Sequence, residues 1–122
     1  AVDGSPVAVA AGAALARRLG PGAEGGIRWR VHDLDQGLPP GWDGPYDVVV
    51  CQRFRDPALY PALRSVVAPD GLLVLTVLSV VGGRAGPYRA EPGELLAAFP
   101  GWRVLDRTEG GGEAHLLARP PG

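Results

Sequence analysis

The stretch YDVVVCQRFRDPALYPALRSVVAPDGLLVLTVLS, residues 46–79, constrains the fold more than any other part of the chain. Tyr46 to Cys51 is a nearly unbroken apolar run rich in β-branched residues, which suits a strand covered on both faces. Asp56-Pro57 follows as a helix cap with proline at the first helical position. Leu59, Tyr60, Leu63, Val66 and Val67 then recur at helical spacing as one apolar stripe. Pro69-Asp70-Gly71 stops that helix, and Leu72 to Leu78 is a second apolar run. Two buried strands joined by a helix predict a right-handed βαβ unit in a parallel sheet.

Ligands of open parallel sheets sit beyond the carboxyl ends of the strands. Gln52, Arg53 and Phe54 follow the first of these strands, and Ser79 with a long loop follows the second. A site is expected to include them.

Composition narrows the choice of partners. At 122 residues and a net charge of -1, the chain is expected to be a single domain, 1–122, with no nucleic-acid footprint made by bulk charge. All twelve basic residues are arginine, and lysine, methionine and asparagine are absent, which reads as codon bias toward GC-rich triplets. One cysteine excludes an internal disulfide, and with two scattered histidines it gives no zinc pattern. Cys51 reads as a small buried hydrophobe. No apolar run is long enough to span a bilayer, so no membrane partner and a cytoplasmic location are expected.

Ala1-Val2-Asp3 reads as the tail of a strand, and a fragment of a longer protein is expected. Ser5 with Pro6 starts a helix, whose alanine-rich face runs to Leu19 and which Gly20-Pro21-Gly22 ends. Asp3, between a strand end and a helix start, reads either as a carboxylate accepting both hydroxyls of a ribose or as a further cap on that helix. Residues 20–26, GPGAEGG, follow a helix and lead into a strand. That is the wrong context for a phosphate loop, and a flexible connector is expected.

Ile27 to His32 alternates as a partly solvated strand. Asp33-Leu34 after it suits an exocyclic amine and a flat ring, or an aspartate turn. The loop GLPPGWDGP is expected to be packed down by Trp42. Residues 80–92 form a long connection with Arg84, Tyr88 and Arg89 as candidate substrate-loop residues. Arg53 and Arg55 read equally as solvated charges. A short helix, residues 94–99, and a terminal antiparallel hairpin of residues 102–107 and 114–119 complete the chain.

Taken together, VDGSP, VHDLDQGLP, YDVVVCQRF and APDGLLVLTVL resemble the class I S-adenosylmethionine (SAM)-dependent methyltransferases. The run GPYRAEPGELLAAFPGWRVL resembles small bacterial members of the tellurite-resistance type. The resemblance implies an α/β Rossmann-like sheet, mostly parallel with a C-terminal antiparallel hairpin and N-terminally truncated. It implies SAM as cofactor and methyl transfer to a small-molecule substrate. By the same resemblance, Asp3 with Gly4 and Ser5 would hold the ribose. Asp33 and Leu34 would hold and flank the adenine, and Gln52 and Arg53 would lie near the methionine part. No catalytic residue and no metal is implied, since such a transfer rests on positioning and in-line approach.

This sequence departs from the family pattern in one respect. The first strand and the G-x-G-x-G loop of the family have no counterpart, so weak binding of SAM by this chain alone is expected. In the family's strand order, 3-2-1-4-5-7-6, their loss leaves the fourth strand with an apolar edge. Such an edge invites a homo-oligomer. The third strand is then expected either to stand alone or to re-pair against the fourth. A non-catalytic methyltransferase-like partner module is the alternative to an enzyme.

Overall fold

The computed structural model describes residues 1–122, the side chains of residues 23 and 24 apart. The chain divides into two compact units, Ala1–Gly41 and Trp42–Gly122.

The first unit begins with a two-residue strand β1 (Val2–Asp3) and helix α1 (Pro6–Leu19). Ser5 caps α1 as its sequence demands, its hydroxyl accepting from the Ala8 amide at 3.1 Å with Pro6 in the first turn. Gly20 closes the helix, its N–H donating to the Arg17 carbonyl. The glycine-rich run that follows is not a plain connector: Pro21–Gly25 forms a short helix, α2, with proline again in its first turn.

Strand β2 is only Arg30–Val31, shorter than the alternation of residues 27–32 predicts. It lies parallel to β1, with Val2 opposite Arg30 and Asp3 opposite Val31. Trp29 explains why the pattern overreaches. Its ring lies against α1 at Gly12, where an added Cβ would come within 2.6 Å of Cζ3. The apolar residue there packs on a helix rather than into a ladder.

The second unit carries a four-stranded sheet in the order β3-β4-β6-β5. Strands β3 (Tyr46–Gln52) and β4 (Val67–Leu78) run parallel, joined by a 3₁₀ turn (Pro57–Leu59) and helix α3 (Tyr60–Val66). Asp56 caps this connection, accepting from the Ala58 amide at 3.0 Å. The helix ends at Val66, before the Pro69-Asp70-Gly71 signal, because β4 already starts at Val67. That signal is taken up as an irregularity in the ladder, where Tyr46 faces Val67 and Val48 faces Leu72.

After β4 come helix α4 (Glu94–Ala98) and the hairpin β5 (Arg103–Gly110) and β6 (Glu113–Arg119). The hairpin's second strand pairs antiparallel with β4. β5 is an exposed edge whose Arg103, Asp106, Arg107 and Glu109 discourage pairing with another chain.

One face of this sheet is the core. Leu73, Leu75 and Val77 of β4 stand in register with Ala118, Leu116 and Ala114 of β6, and all are buried. Leu59, Tyr60 and Leu63, together with Leu95 and Phe99, are buried over it. Phe99 meets Tyr60 and Trp102 edge-on, with ring centroids 5.8 and 5.2 Å apart.

The expectation that β3 is covered on both faces fails on the other side. Val48 and Val50 are 54% and 57% exposed. The third-strand expectation is also corrected: β2 neither stands alone nor pairs with β3, but joins β1.

Candidate functional site

Asp3 and Asp33 follow one another around the carboxyl ends of the parallel pair β1-β2. The His32 N–H donates to the Asp3 carbonyl at 3.0 Å, which puts the two strand ends side by side. Each aspartate uses one oxygen on its own turn. Asp3 Oδ1 accepts from the Ser5 N–H at 2.8 Å, and Asp33 Oδ1 accepts from the Asp35 N–H at 3.0 Å. The capping and turn readings of both residues therefore describe what these oxygens do. Among the described residues the Oδ2 atoms take no hydrogen bond, and both side chains are exposed. Gly4 sits where a Cβ would lie 3.5 Å from the His32 carbonyl. Ser5 is committed to the cap of α1. Leu34 is half-buried and opens a 3₁₀ turn (Leu34–Gln36) that Asp33 caps. Asp3, Gly4, Ser5, Asp33 and Leu34 thus gather at one end of the first unit.

Gln52 and Arg53 belong to the second unit, at the carboxyl end of β3. Gln52 is exposed and in register with Thr76. Arg53 takes a left-handed backbone, φ 57°, which is uncommon outside glycine. Its N–H bonds the Thr76 carbonyl at 2.7 Å, and its side chain meets Glu113 at 2.9 Å. Both partners of that ion pair are well exposed, so it contributes little to stability. The strained backbone, by contrast, sits where a parallel sheet opens to ligands.

Arg55 is not a solvated charge. Its Nε donates to Glu94 Oε2 at 2.9 Å, its Nη2 to Oε1, and its Nη1 to the Pro87 carbonyl at 3.0 Å. Tyr60 donates its hydroxyl to Glu94 Oε2 at 2.7 Å. Both charged side chains are only 15% exposed. Desolvation alone would push the Glu94 carboxyl up, but the bonds from Arg55, Tyr60 and the Glu91 N–H outweigh it and hold the group below the usual range. Burial first, and then the bond to Glu94, push the Tyr60 phenol well above its ordinary value. Burial likewise pushes the Cys51 thiol up, which suits an inert small hydrophobe rather than a nucleophile.

The long connection is tied down at its start. Ser79 is fully buried, its hydroxyl donating to the Ala90 carbonyl at 3.3 Å and accepting from Val81 at 3.1 Å. Arg89 turns inward and bonds the Ser79 carbonyl at 3.1 Å, so it supports the loop rather than facing solvent. Arg84 and Tyr88 are exposed, Tyr88 by 77%. Sequence reasoning missed Glu94 and Tyr60, whose only signals are an acid opening a helix and a tyrosine in an apolar stripe. Among the described residues no cluster of histidine, cysteine or acidic side chains could hold a metal. No helix there is long and apolar enough to cross a membrane.

No family model and no curated protein matches the sequence. Solved structures do. TehB from Haemophilus influenzae aligns with a TM-score of 0.75 at 14% identity, over 98% of this chain and 48% of its own. The ribosomal protein L11 methylase from Lactobacillus delbrueckii subsp. bulgaricus gives 0.66 at 16%, over 99% and 56%. The DhpI-SAH complex gives 0.61 at 24%, over 98% and 64%. The chain has the class I methyltransferase fold. This methyltransferase fold accounts for the parallel β3-β4 pair, for β6 lying antiparallel against β4, and for β5 at the edge. The chain spans about half the length of TehB, 48%.

Proposed function

We propose that the protein serves SAM-dependent methyl transfer to a small-molecule nucleophile. One observation carries the reading: Asp3 ends β1 and Asp33 lies two residues beyond the end of the neighbouring parallel strand β2, each with a carboxylate oxygen that takes no hydrogen bond among the described residues. Two vicinal ribose hydroxyls match a carboxylate's acceptors, and an adenine amine matches a second one. These residues fit the adenosine half of SAM, and the likeness to the DhpI-SAH complex supports the same ligand. Bound SAM supplies an electrophilic methyl on sulfur. The chain's own part is to orient the adenosine half through Asp3 and Asp33.

Calorimetric titration of S-adenosylhomocysteine (SAH) tests this. Weak binding by residues 1–122, lost in Asp3→Asn, is expected. Tighter binding is expected when a strand and a G-x-G-x-G turn are added upstream. Absence of binding by both proteins overturns the reading.

A further inference from the structure

The segment between β4 and α4 is rich in glycine and proline, a composition that ordinarily gives a mobile loop. Here it is fastened along its length. At its start the Val80 N–H donates to the Ala90 carbonyl at 3.0 Å, and the Ala90 N–H donates to Leu78 at 2.7 Å. The hairpin tip joins in, with Ser79 N–H to Gly112 at 2.8 Å and Gly112 N–H to Val81 at 2.9 Å. Gly83 packs so closely on this tip that an added Cβ would lie 2.7 Å from Gly112 Cα. In its middle, Arg55 Nη1 holds the Pro87 carbonyl. At its end, the Glu91 N–H reaches Glu94 Oε1 at 3.2 Å, and the Gly93 N–H reaches Glu109 at 2.9 Å.

Glu94 is the hub of this arrangement. Each of its oxygens accepts two hydrogen bonds, Oε1 from Arg55 and Glu91 and Oε2 from Arg55 and Tyr60. A carboxylate so committed has no capacity left to take a proton from a substrate. It acts by holding other parts in place. Arg55 comes three residues after Gln52, so the clamp links the carboxyl end of β3 to the segment that leaves β4. Between the fastened points, Gly83 to Pro87 and Tyr88 stay exposed. The side chains of Arg84 and Tyr88 make no hydrogen bond or ion pair among the described residues.

We propose that Arg55, Tyr60 and Glu94 are positioning residues that hold residues 80–92 as a preformed wall at the carboxyl edge of β3 and β4. The acceptor is then selected by a fixed surface carrying Arg84 and Tyr88 rather than by closure of a lid. This rests on the methyl-transfer reading for what the wall faces, but not for whether the wall is rigid.

Amide hydrogen exchange on residues 1–122, with SAH as probe, tests it. Without ligand, slow exchange is expected at Val80, Ala90 and Glu94. In Glu94→Gln these amides should exchange at least tenfold faster, by a larger factor than Leu73, Leu75 and Leu116 in the sheet. Tyr60→Phe, which removes one bond and keeps the ring, should act in the same direction but less. Unchanged loop rates, or sheet amides that speed up in step, overturn the proposal. Adding SAH separates wall from lid: unchanged loop protection supports the wall, and a gain in protection overturns it. SAH affinity in Glu94→Gln should stay within about twofold of the parent. If SAH binds neither residues 1–122 nor the upstream-extended protein, the cofactor reading fails, and the ligand-free rates still decide the clamp.

Discussion

Arg55 meets Glu94 across 39 residues of sequence with two nitrogens of its guanidinium, one of them at 2.9 Å. Such forked pairing is available to arginine and not to lysine. Arg55→Lys is therefore expected to destabilise the second unit by about 1–3 kcal/mol, close to the loss in Glu94→Gln. A double-mutant cycle read by urea denaturation should return a coupling of roughly 1–3 kcal/mol. A coupling near zero would mean that the pair does not act as a unit.

The two titrating members of this cluster respond to opposite ends of the pH scale. Glu94 is depressed in the folded state, so its contribution is complete above its ordinary value of 4.5 and lost as pH falls through the lower folded value. Tyr60 is raised, so its contribution is complete below its ordinary value of 10.0 and lost as pH climbs toward the folded value. The stability gap between the parent and Glu94→Gln should stay flat from neutral pH down to about 5 and then shrink. The gap to Tyr60→Phe should shrink only above about pH 10. Urea midpoints across pH check both.

The two faces of the sheet should respond very differently to substitution. Leu75 has no exposed surface and lies in register with Cys51 and Leu116. Its change to alanine is expected to cost about 2–5 kcal/mol. Val50 is 57% exposed on the opposite face. Val50→Thr keeps the β-branched shape and should cost under about 0.5 kcal/mol. Comparable losses at both positions would mean that the Val50 face is covered in solution.

Asp3 offers a clean separation of folding from binding. Asparagine keeps an oxygen for the Ser5 N–H, whereas alanine loses it. Asp3→Asn should leave stability nearly unchanged while weakening SAH by about tenfold or more. Asp3→Ala should add a stability loss of about 1 kcal/mol. Equal SAH affinity in the parent and Asp3→Asn would remove Asp3 from the ribose site.

Gly83 tests the packing of the loop on the hairpin. An added methyl would meet Gly112 Cα at 2.7 Å and the Ser79 carbonyl at 2.9 Å, both backbone. Gly83→Ala is expected to lower stability by about 1–3 kcal/mol, read as a shift of the thermal midpoint.

The parts of this architecture written as local chemistry were legible in the sequence. Ser5-Pro6 and Asp56-Pro57 start their helical segments where caps and proline require. The apolar runs of β3 and β4 pair in parallel, and the terminal hairpin forms as its alternation and glycines predict. The misses have a common cause in tertiary packing. Trp29 looked like a strand residue because hydrophobicity does not say which surface receives it. Arg55 looked like a solvent-facing charge, and Arg89 like a substrate-loop residue, because their acceptors lie far away in sequence or on the backbone. Asp3 and Asp33 were legible as turn residues and as candidate ligands at once, and each uses one oxygen for the turn.

Between Tyr46 opposite Val67 and Val48 opposite Leu72, β3 advances by two residues while β4 advances by five. The surplus sets the phase of everything downstream, because side chains alternate sides along a strand. Deleting a single residue between Ala68 and Asp70 would turn Leu73, Leu75 and Val77 toward solvent and bring Val74 and Thr76 inward. The irregular stretch that looks like a flaw in the ladder therefore decides which half of β4 is inside, and its length is less free to vary than its composition.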